Sequence, residues 1–316
     1  MSSTSATPGP EDRVSCRSAH DPFATGPYPV RFGSPAELAA ATRHEYLART
    51  GPLLVASRAG YHPDGPWPGS ALESAQNVLA ARPGVLVQLD LRRTVDGTCV
   101  VLHEPVMGRA CTGVGPISEQ SADYVLSQRL VDNHGEVSGY RVREAADFLA
   151  WAVREGAVLW LVAHDVDPAE VVRLVRAHDA AAHVVVAVHG RAELTAYREL
   201  APELVYCVPT GRDGLGTAED VRREAPDPAR LIGWGGQYMP DPEEGLRLRS
   251  WDVPTVLDLT RYDENLHDDE LDPHCYRRAV ETGCLILVTT HYREAADLLG
   301  VRPWQAVPTG RRAQRG

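Results

Sequence analysis

Four histidines, His103, His164, His189 and His291, stand at or just beyond the ends of apolar runs, in company with Arg58, Asp90, Asp165 and Asp258. Histidine changes charge near neutral pH and can carry a proton to or from a reacting oxygen. Arginine holds two oxygens of one phosphate at once, and carboxylates suit hard divalent cations. Ser57, Gln88 and Trp234 occupy equivalent run ends, Trp234 lying between two glycines as a flat wall for an apolar or sugar-like ligand. Each has a plainer use when taken singly: His103 as a hydrogen-bonded rim histidine, Asp90 as an ion-pair partner of Arg58, Trp234 as a residue packed on a helix. Their shared placement makes them a candidate site.

The elements that must position them alternate. Short β-rich runs cover 53–57, 85–91, 99–103, 158–164, 183–189, 204–208, 230–234, 254–259 and 284–290. Between them lie amphipathic patterns such as SAQNVLAAR, VREAADFLAWAVREG, PAEVVRLVRAH, RAELTAYREL and YRRAVETG. Near-continuous apolar strands alternating with helices predict a parallel sheet buried on both faces. The number of units favours an α/β fold of the closed (β/α)8 TIM-barrel type over an open sheet, and no GxGxxG follows a strand to suggest a dinucleotide site. In such a barrel the reacting groups sit at the C-terminal strand ends, where these polar residues fall. The expected organisation is a flexible N-terminal leader over 1–34, the barrel over 35–302 and a tail over 303–316. Ser34 and Pro35 predict the N-cap and first turn of a helix covering the start of the barrel.

Composition narrows the class of partner. The 316 residues carry 43 acidic side chains against 32 basic ones, all arginine, for a net charge of -11. Such a surface argues against nucleic acid and against anionic lipid, but leaves room for a small phosphate ester in a pocket. The six cysteines show no close pairing of the zinc or disulfide type. With no secretory signal pattern and no long apolar span, the expected location is the cytoplasm, without a transmembrane segment.

Three blocks between Val55 and Ala152, VASRAGYHPDG, VLVQLDLRRTVDGTCVVLHEPVMGRACTGVGPISEQSADYV and GYRVREAADFLAWA, resemble the glycerophosphodiester phosphodiesterase family. Family members read HRG after the first strand, a DG..VV.HD pattern after the second, and R.T.G.G.(V/I)S thereafter. Asp96, Gly97, His103, Arg109, Thr112, Gly113, Gly115 and Ser118 fall in that order here. The resemblance implies a TIM barrel that cleaves phosphodiesters, with two histidines exchanging protons and a divalent cation, Mg2+ or Ca2+, held by carboxylates. It implies that Arg58 grips the anion, that His103 is a catalytic histidine and that Asp90 is a metal ligand. The C-terminal half is matched only through its rhythm of strands and helices.

The same alignment exposes departures. Ser57 stands in place of the family's first catalytic histidine, Gln88 in place of a metal-binding glutamate, Val162 where a further carboxylate is expected, and His164 where the family has a lysine. Among the implied metal ligands Asp90 and, weakly, Gln88 remain, so the metal dependence is expected to be weakened. His62, with Asp64 orienting it, is one conceivable substitute for the lost histidine. Another is a new imidazole-rich site of His103, His164, His189 and His291 with Asp90, holding a softer metal such as Zn2+ or working without one. The sequence reading is therefore a divergent phosphodiesterase for a small phosphate ester, with His103, Arg58 and His164 as catalytic residues and Arg58, Trp234, His189 and His291 lining the substrate pocket. A silent binding module, or a barrel turned to another reaction in specialised metabolism, stays open beside it.

Overall fold

A computed structural model describes residues 31–210, 216–224, 227–239 and 241–303. Eight parallel strands form a closed barrel: β1 Leu53–Ala56, β2 Leu86–Arg93, β3 Leu159–Ala163, β4 Val184–Ala187, β5 Val205–Pro209, β6 Leu231–Trp234, β7 Thr255–Asp258 and β8 Cys284–Thr289. Each pairs with its neighbours in chain order, and β1 closes the ring by pairing with both β2 and β8. Helices at Leu72–Ala81, Ala145–Glu155, Pro168–Ala177, Arg191–Leu200 and Pro273–Glu281 fall on the amphipathic patterns. No helix among the described residues is long and apolar enough to cross a membrane.

Strand side chains alternate between the two faces of a sheet, so each strand feeds two cores. Leu54, Val87, Leu89, Leu159, Leu161, Val186 and Leu287 pack outward against the helices. Val55, Leu86, Trp160, Val185, Cys207, Ile232, Val256 and Val288 fill the barrel interior. At its N-terminal end the barrel is plugged by the helix Pro35–Ala41, whose Leu38, Ala39 and Ala41 join the interior cluster with Phe32. Ser34 caps that helix as expected, its Oγ accepting from the Glu37 amide at 3.3 Å. Of the leader expected over 1–34, residues 1–30 lie outside the described residues, as do residues 304–316 of the tail.

The run at 99–103 is not a barrel strand. Cys99–Val101 returns antiparallel along the end of β2, because the TVDG turn reverses the chain: Thr94 N donates to Thr98 O at 3.0 Å and Gly97 takes φ +90°. An excursion follows between β2 and β3, with two small hairpins, Val106–Met107 with Gly115–Pro116 and Arg129–Val131 with Val137–Arg141. It has its own core, including Leu102, Met107, Ile117, Val125 and Leu130.

The turn after β1 is the strained point of the frame. Arg58 and Ala59 have φ of +48° and +60°, a left-handed backbone that costs a side-chain-bearing residue about 1–2 kcal/mol. Gly60 follows at φ +96°, where a Cβ would run into Val78 Cγ2 and stand 3.1 Å from Ser74 O. The first two turns of the helix Leu72–Ala81 therefore fix this loop by close approach. Gly60→Ala should lower unfolding stability by about 1–3 kcal/mol through overpacking. Urea denaturation measures this, and a variant as stable as the parent would contradict the packing.

Candidate active site

Strand parity selects the residues that meet at the C-terminal mouth. Ser57 continues the inward series of Leu53 and Val55; Gln88 and Asp90 continue that of Leu86. His164 follows Trp160 and Val162, His189 follows Val185 and Ala187, and Asp258 follows Val256. These residues, with Arg58, His103 and Trp234, line one cavity of about 540 Å³. Its floor is apolar, made by Trp160, Val162, Ala187, Cys207 and Pro209, and its rim is polar. The sequence-predicted Arg58, Asp90 and His103 thus share one cavity.

Within it the charges are arranged in pairs. Asp90 is 2% exposed, and its Oδ1 accepts from His164 Nε2 at 2.9 Å while its Oδ2 has no partner. A buried carboxylate needs such compensation. With Nε2–H committed to Asp90, Nδ1 is left as the exchangeable nitrogen of His164. The rings of His164 and His189 stand 5.7 Å apart. Hydrogen bonding from Nδ1 of His189 to Glu193 raises the His189 pKa; burial opposes this, and the charges of Glu193 and Asp90 add to it. His103 is held through its backbone: Arg92 donates to His103 O at 2.7 Å, and the preceding Leu102 amide donates to Asp90 O at 3.0 Å. Its Nδ1 lies 3.4 Å from Glu104 Oε1. Burial works against the Glu104 carboxylate, but His103 and the Arg109 guanidinium outweigh it and hold Glu104 down at about 2.

Arg58 is not paired with Asp90. Its Nη2 donates to Glu264 Oε2 at 2.8 Å, and its guanidinium lies 5.6 Å from the centre of the Tyr61 ring. The left-handed turn is what aims it there. Glu264, Arg261, Thr260 and Gln237 also line the mouth and were not anticipated from sequence; Thr260 and Arg261 lie in the single helical turn Thr260–Asp263, which Glu264 ends, too short to show periodicity. Trp160 was legible, being in phase with His164 on β3. A smaller cavity of about 230 Å³ adjoins, sharing Arg58 and His103 and adding Tyr61, Glu104 and Arg109. Asp258 accepts from the amide and hydroxyl of Thr260, yet burial pushes its carboxyl up.

Two expectations need correction. His291 lies outside the cavity: β8 ends at Thr289, and two residues on, His291 is out of phase with inward Val288, fully buried among backbone carbonyls. The four-histidine site therefore reduces at the mouth to His103, His164 and His189. His62 does not reach the mouth either. It is buried, with Nε2 3.0 Å from Glu294, and Asp64 spends its carboxylate on His267 and the Asp268 amide. Asp165, also out of phase, faces Arg92 at 2.8 Å.

No family model matches the chain, and no curated protein matches its sequence. Solved structures do match. A glycerophosphoryl diester phosphodiesterase from Parabacteroides distasonis superposes with a TM-score of 0.76 at 21% identity, over 88% of this chain and 96% of that one. An Oleispira antarctica phosphodiesterase in complex with the product sn-glycerol-3-phosphate gives 0.63 at 14% identity, over 79% and 97%. A glycerophosphodiester phosphodiesterase from Agrobacterium tumefaciens gives 0.59 at 17%, over 78% and 99%. The chain has the fold of the glycerophosphodiester phosphodiesterases. That fold family implies a divalent cation, but the donors at this mouth suit one poorly: Gln88 is neutral, Val162 offers nothing, Asp90 gives Oδ1 to His164, Asp258 is hydrogen-bonded to Thr260 and Gln237, and Glu264 is paired with Arg58. Among the described residues, no trio of histidine, cysteine and carboxylate donors converges there.

The raised pKa of His189 has a definite consequence for stability. Its contribution is fully present below the ordinary histidine value of 6.5 and is lost as pH rises through the raised folded value. His189→Gln should therefore be destabilised relative to the parent in mildly acidic buffer, with the difference shrinking toward pH 9. Paired thermal melts across that range test this, and a pH-independent difference would contradict it.

Proposed function

We propose that the chain is a divergent phosphodiesterase for a small phosphate ester, working by acid and base transfer with little dependence on Mg2+ or Ca2+. The observation that carries this reading is the convergence of Arg58, Asp90, His103, His164 and His189 on one cavity. Arg58 exchanges its Glu264 partner for two phosphoryl oxygens, which suits the fork geometry of a guanidinium. His103 takes the proton of the attacking hydroxyl or water as the new bond to phosphorus forms. His164, oriented by Asp90 as an aspartate orients a catalytic imidazole, returns a proton to the departing alkoxide as the old bond breaks. His189, favoured as a cation, supplies positive charge near the phosphoryl group. Trp160 and Trp234 give the non-phosphate part an apolar wall. The cytoplasmic placement is part of the same reading, supported by five described cysteines that remain free thiols.

The Ser57 replacement favours slow turnover, since a serine hydroxyl does not act as a base near neutral pH. A second reading, binding without turnover, is favoured by the Arg58–Glu264 ion pair that occupies the anion grip. Phosphate-ester stabilisation in thermal shift with no product formed would select it.

On bis(p-nitrophenyl) phosphate or glycerophosphocholine, the expected rate is low, and Mg2+ or Ca2+ should change it less than about twofold, given the donor set. His103→Ala should reduce that rate by roughly 100-fold or more, whereas Ser57→Ala should leave it nearly unchanged. Strong stimulation by Mg2+, or an equal collapse in Ser57→Ala, would overturn the assignment.

A further inference from the structure

A second cluster of titratable groups lies behind the mouth and takes no part in the chemistry above. His62 from the β1 loop, Asp268 from the loop after β7, His291 and Glu294 at the start of the helix Tyr292–Leu299 bring one donor atom each to within 4.8 Å of one another. The protonation pattern can be worked out from the partners. His291 Nε2 lies 3.0 Å from both Asp263 O and Leu266 O, and carbonyl oxygens only accept, so this nitrogen carries the hydrogen. Nδ1 of the neutral ring then presents a lone pair to Asp268 Oδ1 at 3.1 Å, acceptor against acceptor, in a residue that is fully buried.

His62 is fixed in the opposite sense. Its Nδ1 accepts from the Asp64 amide at 3.2 Å, which leaves Nε2–H to donate to Glu294 Oε2 at 3.0 Å. It is therefore a holder of the Glu294 carboxylate and not a free donor. The remaining lone pairs belong to His291 Nδ1, Asp268 and Glu294. From His291 Nδ1 the two carboxylates stand at 3.1 and 3.9 Å. Ligands of a tetrahedral zinc ion at about 2.0–2.1 Å stand about 3.3–3.4 Å from one another, which these spacings bracket.

We propose that His291, Asp268 and Glu294 form a zinc site that fastens the loops carrying Arg58 and Glu264. A proton on His291 would balance one of the two carboxylates; a divalent ion balances both. The second ring nitrogen of His291, bound to backbone carbonyls, fixes ring and tautomer as outer partners of metal-ligating histidines do. Asp268 and Glu294 are partly open to solvent and supply the entry path, with water completing the coordination. Asp268 lies four residues past Glu264, so the ion would hold that segment directly, and it would hold the Arg58 loop through the hydrogen bond to Glu294 from His62, four residues past Arg58.

The test uses the full chain, stripped with a chelator, incubated with ZnCl2 and desalted, with metal content and thermal midpoint as readouts. The expected result is about one zinc retained per chain and a midpoint raised by about 5 °C. Both effects should vanish in Asp268→Asn, a partly exposed position, and in His291→Gln. His62→Gln, whose amide can still donate to Glu294, should keep the zinc. Wild-type protein that retains no zinc and melts unchanged would overturn the proposal in favour of a protonated His291. Zinc retained equally by Asp268→Asn and Asp268→Asn/Glu294→Gln would overturn it by locating the metal elsewhere. Neither readout depends on phosphodiester turnover, so the proposed function can fail or stand separately.

Discussion

The two-residue period of the β-strand, enforced by closure of the barrel, is the constraint on which the site depends. Because β1 pairs with both β2 and β8, no strand can slip by one residue without turning its apolar set out of both cores. The interior series Leu53, Val55 on β1 and Trp160, Val162 on β3 is filled by hydrophobic burial. The same parity, carried past the strand ends, puts Ser57 and His164 over the opening. The geometry of the candidate site is here a by-product of core packing. The out-of-phase Asp165 and His291 face elsewhere for the same reason.

Charge compensation sets what this geometry can do. Asp90 is buried and depends on His164 for its hydrogen bond, while Arg58 leans on Glu264 across the mouth. A pocket that binds a hard cation needs several carboxylates with free oxygens; of those lining this one, Asp90 accepts from His164, Asp258 from Thr260 and Glu264 from Arg58. The left-handed turn at Arg58 and Ala59 is strain held in place by Gly60 against Val78, and strain at such a position fits a functional constraint.

Much of the frame was legible because it rests on local pattern. The eight barrel strands and the main helices follow apolar periodicity, and Ser34 and Pro35 mark a helix start by their own chemistry. The antiparallel return at Cys99–Val101 was read as one more strand of the series, since a run of apolar residues carries no information about direction. At the site, the strand-end residues and the motif residues Arg58 and His103 were legible, and the segment after β7 was not. Arg261 belongs to the single helical turn Thr260–Asp263 and Glu264 ends it, a segment too short to show a period in sequence. His291 was misplaced because it stands beyond the end of β8 at Thr289 and three residues past inward Val288, an odd step that reverses the face.

On the proposed reading, one cavity presents Arg58, His103 and His164 to a single phosphoryl group. A crystal structure of the protein soaked with sn-glycerol-3-phosphate tests it most directly. The account predicts phosphate oxygens within hydrogen-bond distance of the Arg58 guanidinium and the His103 ring, with the Glu264 ion pair released. A phosphate bound at another surface, or an Arg58 still paired with Glu264 at saturating ligand, would contradict it.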